Sequence, residues 1–195
     1  NEACLRLLAK TLDLPISRLR IASGQHARLK TIRVAATSAQ TIRACLELAR
    51  RDGVPLGLRG TGNSYGDASV NEAGHVLDIS AMDRILRWDP ATGIAELEPG
   101  VTVRQLWQRS LPDGWWPRVV SGTMFPTMAG ALAMNIHGKN NFCAGTFGDA
   151  CVEFDLVLPS GEVRTASRER DPDLFHAAIG GFGMLGCFSR VVLRT

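Results

Sequence analysis

The stretch from Ser121 to Gly148, SGTMFPTMAGALAMNIHGKNNFCAGTFG, constrains this chain more than any other. Core elements are normally built from bulky apolar residues, but this one is crowded with Gly, Ala, Thr and Asn, with one His and one Lys. Small side chains let a backbone approach something large and flat. N–H groups at the ends of such a stretch are offered to an anion. Thr127 is placed to cap a short helix from Met128 to Ile136, and Gly138 closes it. A polar loop from Gly138 to Gly148 follows. The segment predicts a wall that faces a ligand.

Composition narrows the class. A length of 195 residues fits one domain, or one and a fragment. With 45% hydrophobic and 21% charged residues, the chain has the balance of a globular protein. The net charge of +3 is scattered, so no stripe for nucleic acid is expected, although the surplus suits an anion such as a pyrophosphate. No apolar run approaches a membrane span, and no leader is expected. The five Cys show no C-x-x-C spacing, which argues against a disulfide framework or zinc and points to a reducing compartment, the cytoplasm. Cys143, in the Gly-rich loop, is the one expected to be accessible.

Residues 3–12 repeat apolar positions at helical spacing, and residues 18–21 and 29–34 are strand-like around the turn Ser23-Gly24-Gln25-His26. Residues 38–52 form the clearest amphipathic helix, with Ser38 as N-cap, Ile42, Cys45, Leu46 and Ala49 on one face, and Gly53 after the last turn. Strands are expected at 54–60, 75–79, 85–88, 94–97, 151–158, 163–166 and 188–193. Helices are expected after Thr102 and from Asp171-Pro172. One of Trp115 and Trp116 is expected in the core, His176 as a structural helix residue, and His26 and His75 in solvent.

Two glycine-rich loops stand out. Gly60-Thr61-Gly62-Asn63-Ser64-Tyr65-Gly66-Asp67 follows the strand at 54–60. Its glycines can take φ > 0, so successive N–H groups can converge on a phosphate, and an ordinary Gly-rich turn is the alternative. A strand follows this loop rather than a helix, which excludes the Rossmann fingerprint. Gly181, Gly183 and Gly186 match G-x-G-x-x-G in the reverse context, helix before and strand after, which suits close backbone contact with a ligand or another loop.

RGTGNSYGD (59–67), SGTMFPTMAGALAMNIHGKN (121–140) with AGTFGD after it, and GGFGMLG (180–186) together resemble the p-cresol-methylhydroxylase-type FAD-binding domain of the FAD-linked oxidases, over about residues 35–195. The resemblance implies an α+β fold of two subdomains with FAD extended between them, lacking the substrate domain. It implies that Arg59, Gly60, Thr61, Gly62, Asn63 and Ser64 cradle the pyrophosphate, with Tyr65, Gly66 and Asp67 close by. It places Gly122, Thr127, Ala129 and Gly130 at the second phosphate and ribitol, Asn135, Ile136 and His137 along the flavin, and Phe188 near the adenosine end. Residues 1–34 resemble the C-terminal half of the small αβ YggU-like family, with an ordinary leading helix and strand of the main domain as the alternative.

The chain departs from this family's pattern at two positions. Asn63 stands where many members carry the His that bonds the flavin, so the resemblance implies non-covalent FAD, with His137 the remaining candidate for an adduct. Ala129-Gly130 stands where Gly-Gly is usual. Lys139 and His137 are the catalytic candidates, Lys139 as the positive charge near substrate or reduced flavin. The activity implied is oxidation of an alcohol- or sugar-type small molecule by hydride transfer to flavin. A non-catalytic flavin-binding fragment and a reductase of the same fold are alternatives. Contact with a separate substrate domain or partner chain, and self-association, are also implied.

Overall fold

The computed structural model describes residues 1–26, 30–66, 71 and 74–195. Asp67 and residue 29, both singled out above, lie outside the described residues. The elements in order are α1 (Glu2–Leu12), β1 (Leu19–Ser23), β2 (Thr31–Ala35), α2 (Ala39–Asp52), β3 (Leu56–Arg59), β4 (His75–Asp78), β5 (Ile85–Asp89) and β6 (Ile94–Leu97). They continue with α3 (Val103–Ser110), α4 (Met128–Ala133), α5 (Asn141–Ala144), α6 (Phe147–Ala150), β7 (Cys151–Val157), β8 (Val163–Ser167), α7 (Pro172–Ala178) and β9 (Cys187–Arg194).

The described strands form two sheets. The first runs β1-β2-β4-β3, antiparallel between β1 and β2 and parallel from β2 through β4 to β3. The strand of residues 1–34 therefore shares a sheet with the chain that follows. α2 supplies the crossover that a parallel pair needs. Ser38 Oγ accepts from the Thr41 N–H at its start, and Gly53 takes the left-handed conformation at its end (φ 64°). It buries Ile42, Cys45, Leu48 and Ala49, while Leu46 is half-buried.

The second sheet, β5-β6-β9-β7-β8, is antiparallel throughout. Its core is aromatic: Phe154 stacks on Phe175 at 5.4 Å and meets Phe188 edge-on at 4.9 Å. Arg190 on β9 bonds Asp155 and Glu153 of β7 and Glu96 of β6, so one guanidinium joins three strands. The two halves touch where α2 reaches β7, and α4 packs on β9 within the second half.

Three local expectations are corrected. The helix after Thr127 stops at Ala133 rather than Ile136, because Asn135 adopts a left-handed conformation (φ 43°) and a right-handed helix cannot pass through it. Neither Trp115 nor Trp116 is in the core. Trp115 is half-buried with its ring laid on Gly93, and Trp116 is exposed and packed on Trp107 at 5.9 Å. His75 is not solvated: both ring nitrogens are buried without a hydrogen-bond partner, and this burial holds its pKa below the ordinary histidine value despite the opposing pull of Asp52. His176 lies exposed on α7, edge-on to Phe175. Two short helices, α5 and α6, occupy what reads as polar loop.

Candidate functional site: a groove between the two halves

Parallel strands β3 and β4 end on the same side, and the groove opens there, as ligand sites of open α/β sheets commonly do. One wall is the end of β3 with the loop that follows, from Leu58 to Tyr65, together with Ile79 beyond β4. The other wall is Pro126, Thr127 and the small face of α4 (Ala129, Gly130, Ala133), continued by Met134 and Ile136. Phe182, Gly183, Gly186, Cys187 and Phe188 close it at the start of β9. The groove volume is about 230 Å³.

Close approaches around the groove require glycine. A Cβ on Gly60 would run into the Thr127 hydroxyl, and a Cβ on Gly62 (φ 73°) would strike the Arg59 guanidinium. Gly186 lies against the Val157 carbonyl in the same way. The 180–186 segment is tied to α4 through Gly180 N–H to the Leu132 carbonyl and Phe182 N–H to that of Ala133, each 2.9 Å.

The two walls differ in what they offer an anion. Among the described residues, no backbone N–H from Gly60 to Gly66 bonds a protein acceptor. Those amides, set in a loop with left-handed glycines at 62 and 66, have the character of an anion nest. The N–H groups at the start of α4 are all engaged: Met128 to the Val101 carbonyl, Ala129 to that of Pro99, and Gly130 to Thr127 Oγ1. The expectation of open amides at the ends of the Ser121–Gly148 stretch fails at its far end, where the Phe147 N–H bonds the Ile136 carbonyl and the Gly148 N–H bonds Asn135 Oδ1. Here α4 supplies a smooth surface, and the first loop supplies the donors.

Of the nominated residues, Arg59, Gly60, Thr61, Gly62, Asn63, Ser64, Tyr65, Thr127, Ala129, Gly130, Ile136 and Phe188 line the groove. Phe188 does so with its ring mostly committed to the core, being only 3% exposed. Gly66, Gly122, Asn135, His137 and Lys139 do not line it. Asn135 has a structural task, its Oδ1 accepting from the Gly148 N–H at 2.9 Å. His137 and Lys139 are exposed just beyond Ile136, where His137 forms an isolated β-bridge with Thr146. That bridge leads into α6, whose capping Asp149 is held below the usual carboxylate range by the Thr146 N–H and hydroxyl.

Sequence reasoning missed Leu58, Ile79, Pro126, Ala133, Met134, Phe182 and Cys187. Gly183 and Gly186, read as suited to close contact with a ligand or another loop, line the groove, and the GGFGMLG motif that holds them was the signal for Phe182. Burial pushes the Cys187 thiol up to about 12, with the neighbouring Cys45 adding to the effect, so it lines the groove as an apolar group and not as a nucleophile.

A loop of open amides facing a wall of small residues, between two αβ halves, defines a domain that holds an extended, phosphate-bearing cofactor. The family described as FAD binding domain matches residues 31–167, and the chain belongs to it; its cofactor is FAD. It is similar to decaprenylphosphoryl-beta-D-ribose oxidase of Mycolicibacterium smegmatis, 38% identical over 154 residues covering 78% of this chain and 34% of that protein. It is also similar to cytokinin dehydrogenase 6 of Oryza sativa subsp. japonica, 33% identical over 70% of this chain and 27% of the relative. The fold matches 6-hydroxy-D-nicotine oxidase from Arthrobacter nicotinovorans with a TM-score of 0.77 at 22% identity, over 90% of this chain and 38% of that one. The chain is therefore the FAD-binding domain of an FAD-linked oxidoreductase of the p-cresol-methylhydroxylase type, and it spans about a third of the length of the curated relatives it matches. No described helix is long and apolar enough to cross a membrane.

Proposed function

We propose that this domain is the cofactor-holding part of an enzyme that oxidises an alcohol- or sugar-type substrate. Bound flavin supplies the hydride acceptor. The observation that carries the reading is the row of open amides from Gly60 to Gly66 opposite the small-residue face of α4. The loop amides and Arg59 hold the pyrophosphate, while Ala129, Gly130 and Ala133 let the backbone lie close along the rest of the cofactor. Similarity to an oxidase named for a phosphoryl-ribose substrate supports a sugar-type donor. His137 and Lys139, exposed beyond the groove wall, are assigned to the substrate side, with Lys139 placing positive charge there. Asn63 has an amide in place of a nucleophilic ring, so FAD is held without a covalent bond. Exposed Tyr65, Phe125, Phe182 and Met184 form an apolar rim suited to cover by a substrate domain, a partner chain or a second copy.

The test takes the purified chain, adds FAD, removes the excess and records the visible spectrum, then precipitates with acid. Retained yellow colour that passes wholly into the acid supernatant is expected. Flavin in the pellet overturns the non-covalent assignment. In an intact protein containing this domain, anaerobic bleaching by a polyol or glycosyl alcohol without nicotinamide is expected. Bleaching only by NADPH would place the protein among reductases of the same fold.

A further inference from the structure

The first loop and the second wall are joined by a short chain of side-chain hydrogen bonds. Thr61 Oγ1 donates to the Phe125 carbonyl at 2.8 Å, and Asn63 Nδ2 donates to Thr61 Oγ1 at 2.7 Å. The polarity is fixed: the hydroxyl has one proton, given to a carbonyl that can only accept, so towards Asn63 it accepts and the amide presents its NH₂. Gly62 makes the chain possible. Its left-handed turn (φ 73°) folds residue 63 back over residue 61, and any Cβ there would strike Arg59. The segment that receives the latch is itself anchored, since the Val103 N–H bonds the Pro126 carbonyl and the Arg104 N–H bonds that of Met124.

We propose that Thr61 and Asn63 form a latch that holds the amide-bearing loop 60–66 against the 124–127 wall before the cofactor arrives, making both of them positioning residues for FAD binding. Seven consecutive residues without an amide bond to protein have little else to fix their conformation, and an unfixed nest loses affinity to the entropy of ordering it. The latch supplies that order from side chains, leaving every loop N–H open. The inference rests on FAD as cofactor and not on which substrate is oxidised.

The test compares the wild-type chain with Thr61→Val, Thr61→Ser and Asn63→Asp. Valine keeps the shape and removes the hydroxyl. Serine keeps the hydroxyl. Aspartate keeps the shape of Asn63 but cannot donate, so it competes with Phe125 for the single hydroxyl proton. In the apo chain, backbone order parameters over 60–66 are expected to fall from the rigid level of about 0.85 to below about 0.6 in Thr61→Val and Asn63→Asp and to stay rigid in Thr61→Ser, with those of β7 unchanged as the folding control. FAD titration of Thr61→Val is expected to show about fivefold to tenfold weaker binding, restored in Thr61→Ser. Wild-type order parameters in apo Thr61→Val would overturn the latch, even if FAD binding weakened, because the hydroxyl would then act on the cofactor directly. Serine behaving as valine would overturn it as well. A wild-type chain that binds no FAD yet shows the apo pattern would keep the latch and sink the cofactor assignment, so the two failures are distinct.

Discussion

The two halves of the domain face one groove but are held together differently. The antiparallel half is closed by side chains: Phe154 fully buried between Phe175 and Phe188, and Arg190 bonded to carboxylates on two neighbouring strands. The parallel half, among its described residues, shows less of either. Every residue of β3 is only half-buried, the His75 ring nitrogens have no partner, and among the described residues an ion pair of Arg33 with Asp78 ties β2 to β4. The amide-bearing loop grows from this second half. A loop that must accept a ligand is drawn from the less densely fixed part of a fold, and the rigid part provides the wall against which it is set.

Deleting the aromatic centre attacks the stiff half directly. Phe154→Ala should cost about 3–5 kcal/mol, measured by chemical denaturation, because the ring is wholly enclosed and its neighbours cannot collapse fully into the space. Should the loss be under 1 kcal/mol, the contrast between the halves would be wrong.

The ionic clamp comes next. Arg190→Met should cost about 2–3 kcal/mol at neutral pH, since the partly buried carboxylates of Asp155 and Glu153 lose their counter-charge. This site also carries a pH signature. Burial alone would raise the Asp155 carboxyl, but hydrogen bonds from Arg190 and Thr165 outweigh it, and the group ends below the usual carboxylate range. A depressed folded pKa contributes stability that is present above the unfolded value of about 4 and is lost as pH falls through the folded one. Wild-type stability should therefore fall below about pH 4 more steeply than that of Arg190→Met. Parallel curves would remove Asp155 from the account.

The smallest effect on stability should come from the groove itself. Gly60→Ala pushes a methyl into the Thr127 hydroxyl, which caps α4 through the Gly130 N–H. The cost should be about 1 kcal/mol, the worth of a cap, while FAD binding should weaken at least tenfold because the loop and wall are forced apart. Equal FAD affinity in this variant would show that the approach of the two walls does not govern binding.

Much of this was legible in the sequence, for identifiable reasons. α2 could be placed from Ser38, Gly53 and the apolar period, because caps and amphipathicity are local properties. The first loop could be placed because glycines advertise the backbone. The motifs then conveyed the two-subdomain fold, which matches the observed sheets. The features that were not legible depend on what residues touch. Asn135 resembles a ligand residue in sequence, and only the Gly148 amide shows its structural task. The open or engaged state of an N–H at α4 depends on Pro99 and Val101, some thirty residues earlier. The burial of His75 comes from its position at the start of β4, flanked by β2 and β3.

The placement of the tryptophans has an optical consequence. Trp88 and Trp115 sit at the β5–β6 turn, bonded to Asp113 and the Pro90 carbonyl, and Trp107 pairs with Trp116 beside α3. These are all four tryptophans in the chain, and none of them lines the groove. Tryptophan fluorescence therefore senses the corner formed by that turn and α3 and is blind to direct contact in the groove, which Tyr65 alone would report. A bound isoalloxazine would dim it by energy transfer across the intervening protein, so one emission band can serve as a ruler from that corner to the flavin.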